Sequence, residues 1–134
     1  MVKGSLKHEI AYRNLFLIAA LYDFILGFVF FFFLPFFFEE IYNIAAPIYP
    51  AFYQGGAAFV FVMGVGFFFV YLNIYRNVDI VKIGIIFKSV YTALAFYYVF
   101  IENMPWVFSI FGLLDLVFII FFILFLRDFK REVK

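Results

Sequence analysis

Residues 83–101 read IGIIFKSVYTALAFYYVFI. This stretch, Ile83–Ile101, is long and apolar enough to cross a bilayer, yet it carries Lys88 inside it. At the centre of a membrane helix a lysine costs about 2.5–3.5 kcal/mol on insertion scales, whereas each Leu, Ile, Phe or Val returns about 0.3–0.6 kcal/mol. The ten such residues in the stretch offset Lys88 with only a small surplus. A span balanced so closely needs partners. Two other apolar stretches each carry one acid, Asp23 and Asp115.

Outward from that stretch, the whole chain is built for lipid. Hydrophobic residues make up 69% of its 134 residues and charged residues 14%, and the mean hydropathy is +1.11, far from the average soluble domain. Apolar runs of spanning length cover Leu15–Phe38, Ala51–Leu72, Ile83–Ile101 and Pro105–Leu126. What remains leaves no room for a soluble domain. The expected fold is all-α: a polytopic membrane four-helix bundle forming a single transmembrane domain over residues 1–134. Its helices are expected at about 12–35, 51–73, 80–101 and 105–127, with an interfacial outer segment over about 39–50. Leu15–Phe38 exceeds a signal-peptide core in length and runs into Glu39-Glu40 without a small-residue cleavage site, so it is expected to remain as a helix.

Several chemistries are excluded at this level. With no cysteine there is no disulfide, thiolate metal site, cysteine nucleophile or palmitoylation. The single His8 is expected to be solvated, and one histidine cannot build a two-histidine haem site. No metal centre, cofactor or catalytic residue is assigned. Nucleic-acid binding has no support, because topology accounts for the few bases.

Orientation follows from where those bases sit. Lys3, Lys7 and Arg13 precede the first helix, Arg76 and Lys82 separate the second and third, and Arg127, Lys130, Arg131 and Lys134 follow the fourth. The connections Glu39–Pro50 and Glu102–Met104 hold none. Such a bias puts both termini in the cytoplasm and the chain in the cell's inner membrane. Short connections make sequential helices antiparallel neighbours. The charged tail from Arg127 reads first as a stop-transfer flank, with binding of anionic lipid or a partner as the other reading.

Local signals fill in the bundle. Pro35 should end the first helix near Leu34, and the seven phenylalanines at Phe30–Phe33 and Phe36–Phe38 point to every face, as lipid contact allows. Within Glu39–Pro50, Ile41, Ile44, Ala45 and Ile48 suggest a short helical turn in the outer interface. Gln54 to Ala58, with Gly64 and Gly66, favour close helix packing, and an opening for a ligand beside Gln54 is the other reading. Asn77 or Asp79 is available to cap the third helix, and Pro105 suits the first position of the fourth. Trp106, Tyr97 and Tyr98 mark the outer interface, and Tyr71 and Tyr75 the inner one.

The three intramembrane charges then fall into register. At about 1.5 Å per residue, Asp23 lies about 15 Å past Arg13, Asp115 about 18 Å before Arg127, and Lys88 about 9 Å past Lys82 with further side-chain reach. Lys88 shares a stripe with Gly84, Tyr91 and Ala95; Asp23 with Ala19, Ala20 and Gly27; Asp115 with Gly112 and Ile119. Asp23, Lys88 and Asp115 are therefore expected to meet inside the bundle, with Tyr91 beside them and Thr92 and Gln54 as secondary candidates. Two carboxylates around one ammonium leave one negative charge over. Such a cluster either fixes which helices pair or binds a polar group or passes protons.

An Arg13 before the first helix, Gly27 within it, Pro35 at its exit, an interfacial outer loop and three further helices resemble the small bacterial and archaeal DoxX-like membrane proteins. The resemblance covers nearly the whole chain. It implies a four-helix bundle and occasional membership of membrane oxidoreductase assemblies, thiosulfate:quinone oxidoreductase among them, and it carries no catalytic residue over. The first functional expectation is a non-catalytic accessory or interaction subunit of a membrane complex, partnered by lipid and by other subunits or copies of itself. The second is binding or transport of a lipophilic molecule, a quinone or lipid, or of protons at Asp23, Lys88 and Asp115. A membrane enzyme using an aspartate as acid or base ranks third.

Overall fold

A computed structural model describes residues 4–133, so Lys3 and Lys134 lie outside the described residues. The chain forms a bundle of four helices, α1 (Glu9–Phe36), α2 (Pro50–Leu72), α3 (Val78–Ile101) and α4 (Phe108–Glu132), with a π-helical turn at Phe37–Ile41. There is no strand among the described residues. All four helices are long and apolar enough to cross a membrane, as expected of a multi-pass membrane protein. In lipid a backbone has no water to bond, so a helix, which satisfies its own peptide groups, is what an apolar run of this length forms.

Helix α1 does not stop before Pro35. It runs to Phe36 and then widens into the π-turn. Proline has no N–H to give the carbonyl four residues back, which here is that of Phe31. The Gln54 side chain on α2 takes the vacant role, its Nε2 donating to the Phe31 oxygen at 3.4 Å. The expected helical turn after Glu39 is likewise displaced. The π-turn ends at Ile41, and residues 42–49 are irregular, with Asn43 at φ 54°. Asparagine tolerates that left-handed conformation better than most residues.

The remaining ends also differ from the sequence pattern. Neither Asn77 nor Asp79 caps α3 through its side chain. Asn77 instead turns back to α2, donating to the Phe69 and Asn73 carbonyls at 2.8 and 3.1 Å. Pro105 opens a separate tight turn, and α4 begins only at Phe108. Its far end carries on through the charged tail to Glu132, because Phe129 and Val133 are buried against the N-terminal segment around Leu6.

The helices associate as two close pairs, α1 with α2 and α3 with α4, with looser seams between the pairs. The first pair is a backbone-to-backbone contact. A Cβ placed on Gly27 would stand 2.7 Å from the Ala57 oxygen and the Phe61 nitrogen, and one on Gly64 would stand 3.0 Å from the Ala20 oxygen and the Phe24 nitrogen. Small residues permit that approach where no hydrophobic drive exists between apolar helices. Between the pairs, the Phe67 ring of α2 fills the notch left by Gly84 of α3.

The half of the bundle that carries the chain ends is solid. Phe16, Phe67, Val70, Val81, Phe122 and Phe125 are fully buried there, with Phe16 stacked on Phe122 at 5.0 Å. Polar latches bridge its rim, beside a shallow polar pocket of about 180 Å³ lined by Glu9, Arg13 and Tyr75. Tyr12 Oη donates to Asp128 Oδ2 at 2.5 Å, and Arg13 Nε donates to the Tyr71 carbonyl at 3.1 Å while its guanidinium lies over the Tyr71 ring. Tyr75 Oη donates to Glu9 and accepts the Leu6 N–H at 3.0 Å. Partial burial, and then the Glu9 acceptor, push the Tyr75 phenol above its ordinary value.

Candidate functional site

Asp23 of α1, Lys88 of α3 and Asp115 of α4 meet in the bundle interior. Lys88 Nζ donates to Asp115 Oδ1 at 2.9 Å and to Asp23 Oδ1 and Oδ2 at 3.3 and 3.5 Å. Each residue reaches the centre because its stripe is lined with small groups: Ala19, Ala20 and Gly27 on α1, Gly84 on α3, Gly112 on α4. The Lys88 side chain is wholly buried and that of Asp23 is 2% exposed, whereas Asp115 keeps 12% of its side chain exposed.

The ammonium also lies among aromatic faces. Its Nζ is 4.8 Å from the Phe118 ring centre, 5.2 Å from Tyr22, 5.5 Å from Phe67 and 5.9 Å from Phe87. Ring quadrupoles attract a desolvated cation at such distances, so all four helices contribute to holding Lys88. These rings were not anticipated from the sequence. The signal was present on α4, where Asp115, Phe118, Phe122, Phe125 and Phe129 recur at three- and four-residue intervals on one buried face.

Towards the half that carries the connections 37–49 and 102–107, the packing opens. A cavity of about 310 Å³ lies between the helix pairs, with Asp115 and Tyr91 on its wall together with Tyr53, Gly56, Tyr98 and Phe111. A second cavity, of about 380 Å³, fills the seam between α1 and α4 and is bordered by Tyr22, Phe37, Tyr42 and Val107. Leu26, Phe30, Phe108 and Phe111 belong to the walls of both. Both are almost wholly apolar and partly open to the exterior, in the size range of small-molecule sites.

The phenylalanine run after Gly27 is thus divided by position rather than spread evenly over the outer surface. Phe32, Phe33 and Phe36 face outward, but Phe30 and Phe37 line cavity walls, and Phe38 is buried with its ring stacked on Phe108 at 5.9 Å. The π-turn sets this division by rotating Phe37 and Phe38 relative to a regular helix.

The secondary candidates have local partners. Thr92 Oγ1 donates to the Gly112 carbonyl at 3.5 Å, tying α3 to α4. Gln54 serves the Phe31 carbonyl and is not on the cavity wall. His8 is exposed at the start of α1. Among the described residues, no group of three or more His, Cys, Asp or Glu side chains could hold a metal ion.

The Tyr22 Oη, on the residue following Leu21 and preceding Asp23, is buried without a hydrogen-bond partner. A buried hydroxyl left unpaired costs about 1–3 kcal/mol. The chemistry on offer is therefore an apolar chamber ending in a carboxylate, flanked by phenols, with a fully desolvated ammonium behind it. Comparison with family models, with curated proteins and with solved structures gave no match to this chain.

Proposed function

We propose that the chain is a membrane protein that binds a lipophilic molecule with its polar end at Asp115 and Tyr91 and its apolar body in the adjoining chamber. The single observation that carries this reading is the position of Asp115: one face is engaged with Lys88, and the other opens on a cavity of about 310 Å³. A network whose only task was to fix helix pairing has no need of a chamber on one side. Quinones and lipids both suit the apolar walls. The solid packing of Phe16, Phe67, Phe122 and Phe125 on the other side of the charges favours binding over passage of protons or solutes through the bundle.

Filling the chamber tests this. A Cβ on Gly56 meets nothing nearer than Tyr91 Oη at 3.7 Å, so a leucine there occupies cavity space without forcing helices apart. Wild-type protein extracted gently into nanodiscs should carry a lipophilic mass in native mass spectrometry. Gly56→Leu should lose it while keeping helix content and thermal stability. Retention of the same mass by a folded Gly56→Leu protein, or a wild type that never holds one, refutes the reading.

The accessory-subunit reading, with the DoxX-like resemblance behind it, stands second. Its support is the exposed aromatic flank of α1 at Phe28, Phe32 and Phe36, a surface that bilayer lipid covers equally well. A lone monomer in every mild detergent argues against it. We also place both termini on the cytoplasmic side of the inner membrane, with sequential helices antiparallel. The basic-residue bias supports the former, and the crossed pairing of Gly27 with Ala57 and Phe61, and of Gly64 with Ala20 and Phe24, supports the latter for α1 and α2. Because the chain has no cysteine, single cysteines at Ser5 and Asn43 give an unambiguous labelling test of sidedness.

A further inference from the structure

The three buried charges form an alternating line, Asp23, Lys88, Asp115, that ends at the cavity. Counted as ionised groups they sum to one uncompensated negative charge, which only a proton or a second cation can balance. The charged and titratable groups facing this point are Asp23 and Tyr22 from α1, Tyr53 from α2, Lys88, Tyr91 and Tyr98 from α3, and Asp115 from α4. Lys88 is the only base among them.

Asp115 itself is 8% exposed as a residue. Its Oδ1 is taken by Lys88, and its Oδ2 accepts no hydrogen bond from any described residue. With 12% of its side chain exposed, Asp115 keeps this oxygen within reach of a donor entering the chamber, and a hydrogen bond to an ionised group is among the stronger ones available. Around the same chamber stand Tyr53, Tyr91 and Tyr98, whose rings attract a cation and whose hydroxyls can accept as well as donate.

We infer that the chamber is selective for lipophilic amines, bound as ammonium ions that donate to Asp115 Oδ2 and extend the alternating line by one positive charge. This rests on the proposed lipophilic-ligand reading and narrows its ligand class. An alcohol satisfies the free oxygen but brings no charge, leaving the balance to a proton. An acceptor-only head such as a ketone satisfies neither, and a carboxylate adds a like charge. The apolar body then lies between Gly56, Phe108 and Phe111, with the α1–α4 seam beyond for a longer tail.

The test uses three probes on one skeleton: 4-phenylbutylamine, 4-phenylbutanol and 4-phenylbutyrate. Binding to the full chain is measured by isothermal titration calorimetry at neutral pH, where the amine is protonated. Nanodiscs of phosphatidylcholine alone are used, so that no lipid primary amine competes. The amine should bind about ten- to a hundredfold more tightly than the alcohol, the range expected of a hydrogen bond gaining a charge, and the butyrate should bind weakest. Asp115→Asn should erase the preference for amine over alcohol, the amine losing much more affinity than the alcohol.

The comparison among probes is made on wild-type protein and holds even if the variant does not fold. Alcohol binding as tightly as amine overturns the charge preference and leaves the lipophilic-ligand reading standing. Amine preference that survives in folded Asp115→Asn overturns the assignment to Asp115. Failure of all three probes, with no competition from any of them against a co-purifying mass, removes the underlying reading as well.

Discussion

Replacing Lys88 with methionine removes the only cation from a site with two carboxylates and leaves both buried without their shared donor. Asp23 and Asp115 each contact Nζ, at 3.3 and 2.9 Å, with side chains 2% and 12% exposed. Removing one partner of such a buried ion pair costs about 3–5 kcal/mol. Removing a single acid is a different perturbation, because the count of charges makes the trio one acid in excess. Asp23→Asn or Asp115→Asn leaves one intact Lys–Asp pair and an amide that still offers an acceptor, so each should cost only about 1 kcal/mol. Methionine at 88 with leucine at 23 and 115 should regain much of the loss, since apolar replacement of a whole buried ion cluster is often close to neutral. Unfolding in mixed micelles by titration with sodium dodecyl sulfate, followed by circular dichroism, measures all four variants. The reasoning is refuted if Lys88→Met lies within about 1 kcal/mol of wild type, or if either asparagine variant is as damaging as Lys88→Met.

Three further outcomes are expected. Gln54→Leu strands the Phe31 carbonyl and should cost about 1 kcal/mol, but the cost should vanish in a Pro35→Ala background, where residue 35 regains its N–H; additive losses in the double-mutant cycle count against the pairing. Gly27→Ala puts a methyl 2.7 Å from the Ala57 oxygen and Phe61 nitrogen, neither of which is a flexible side-chain end, and should destabilise by about 1–3 kcal/mol, whereas Gly55→Ala, with nothing within 4 Å, should not. The Tyr75 phenol is pushed up from 10.0 by burial and then by Glu9, so its proton is held more tightly in the fold. That contribution is complete below pH 10.0 and lost as pH rises through the folded value. Melting temperature followed from about pH 8 to about pH 11 should therefore fall more steeply in wild type than in Tyr75→Phe; parallel curves contradict it.

The membrane class and the four helices were legible because their signal is summed over twenty or more residues and does not depend on any one side chain. The convergence of Asp23, Lys88 and Asp115 was legible for a related reason: helical rise and face are fixed by geometry, and a charge deep in a span has few places to go. Helix ends were less so. Pro35 is a strong local breaker, yet a side chain from another helix, Gln54, relieved the orphan carbonyl, and no reading of residues 30–40 alone reveals that donor. Asn77 shows the same limit in reverse, since its amide reached back to α2 rather than forward to α3. The aromatic residues divided least predictably. Phenylalanine is equally at home against lipid and in a bundle core, so hydropathy cannot separate Phe33, exposed, from Phe67, fully buried. The extent and walls of the cavities were not legible for a deeper reason: a void arises where two helix pairs fail to close on each other, and that is a property of the assembly rather than of any segment.

Beneath the Lys88 trio, Phe16, Phe67, Phe122 and Phe125 are fully buried, while above it the walls part towards the connections. On the proposed reading, a molecule lodged against Asp115 would exchange with the monolayer on that side. Its occupancy would then follow the composition of that leaflet, and an asymmetric bilayer would fill or empty the protein according to which of its two faces changed.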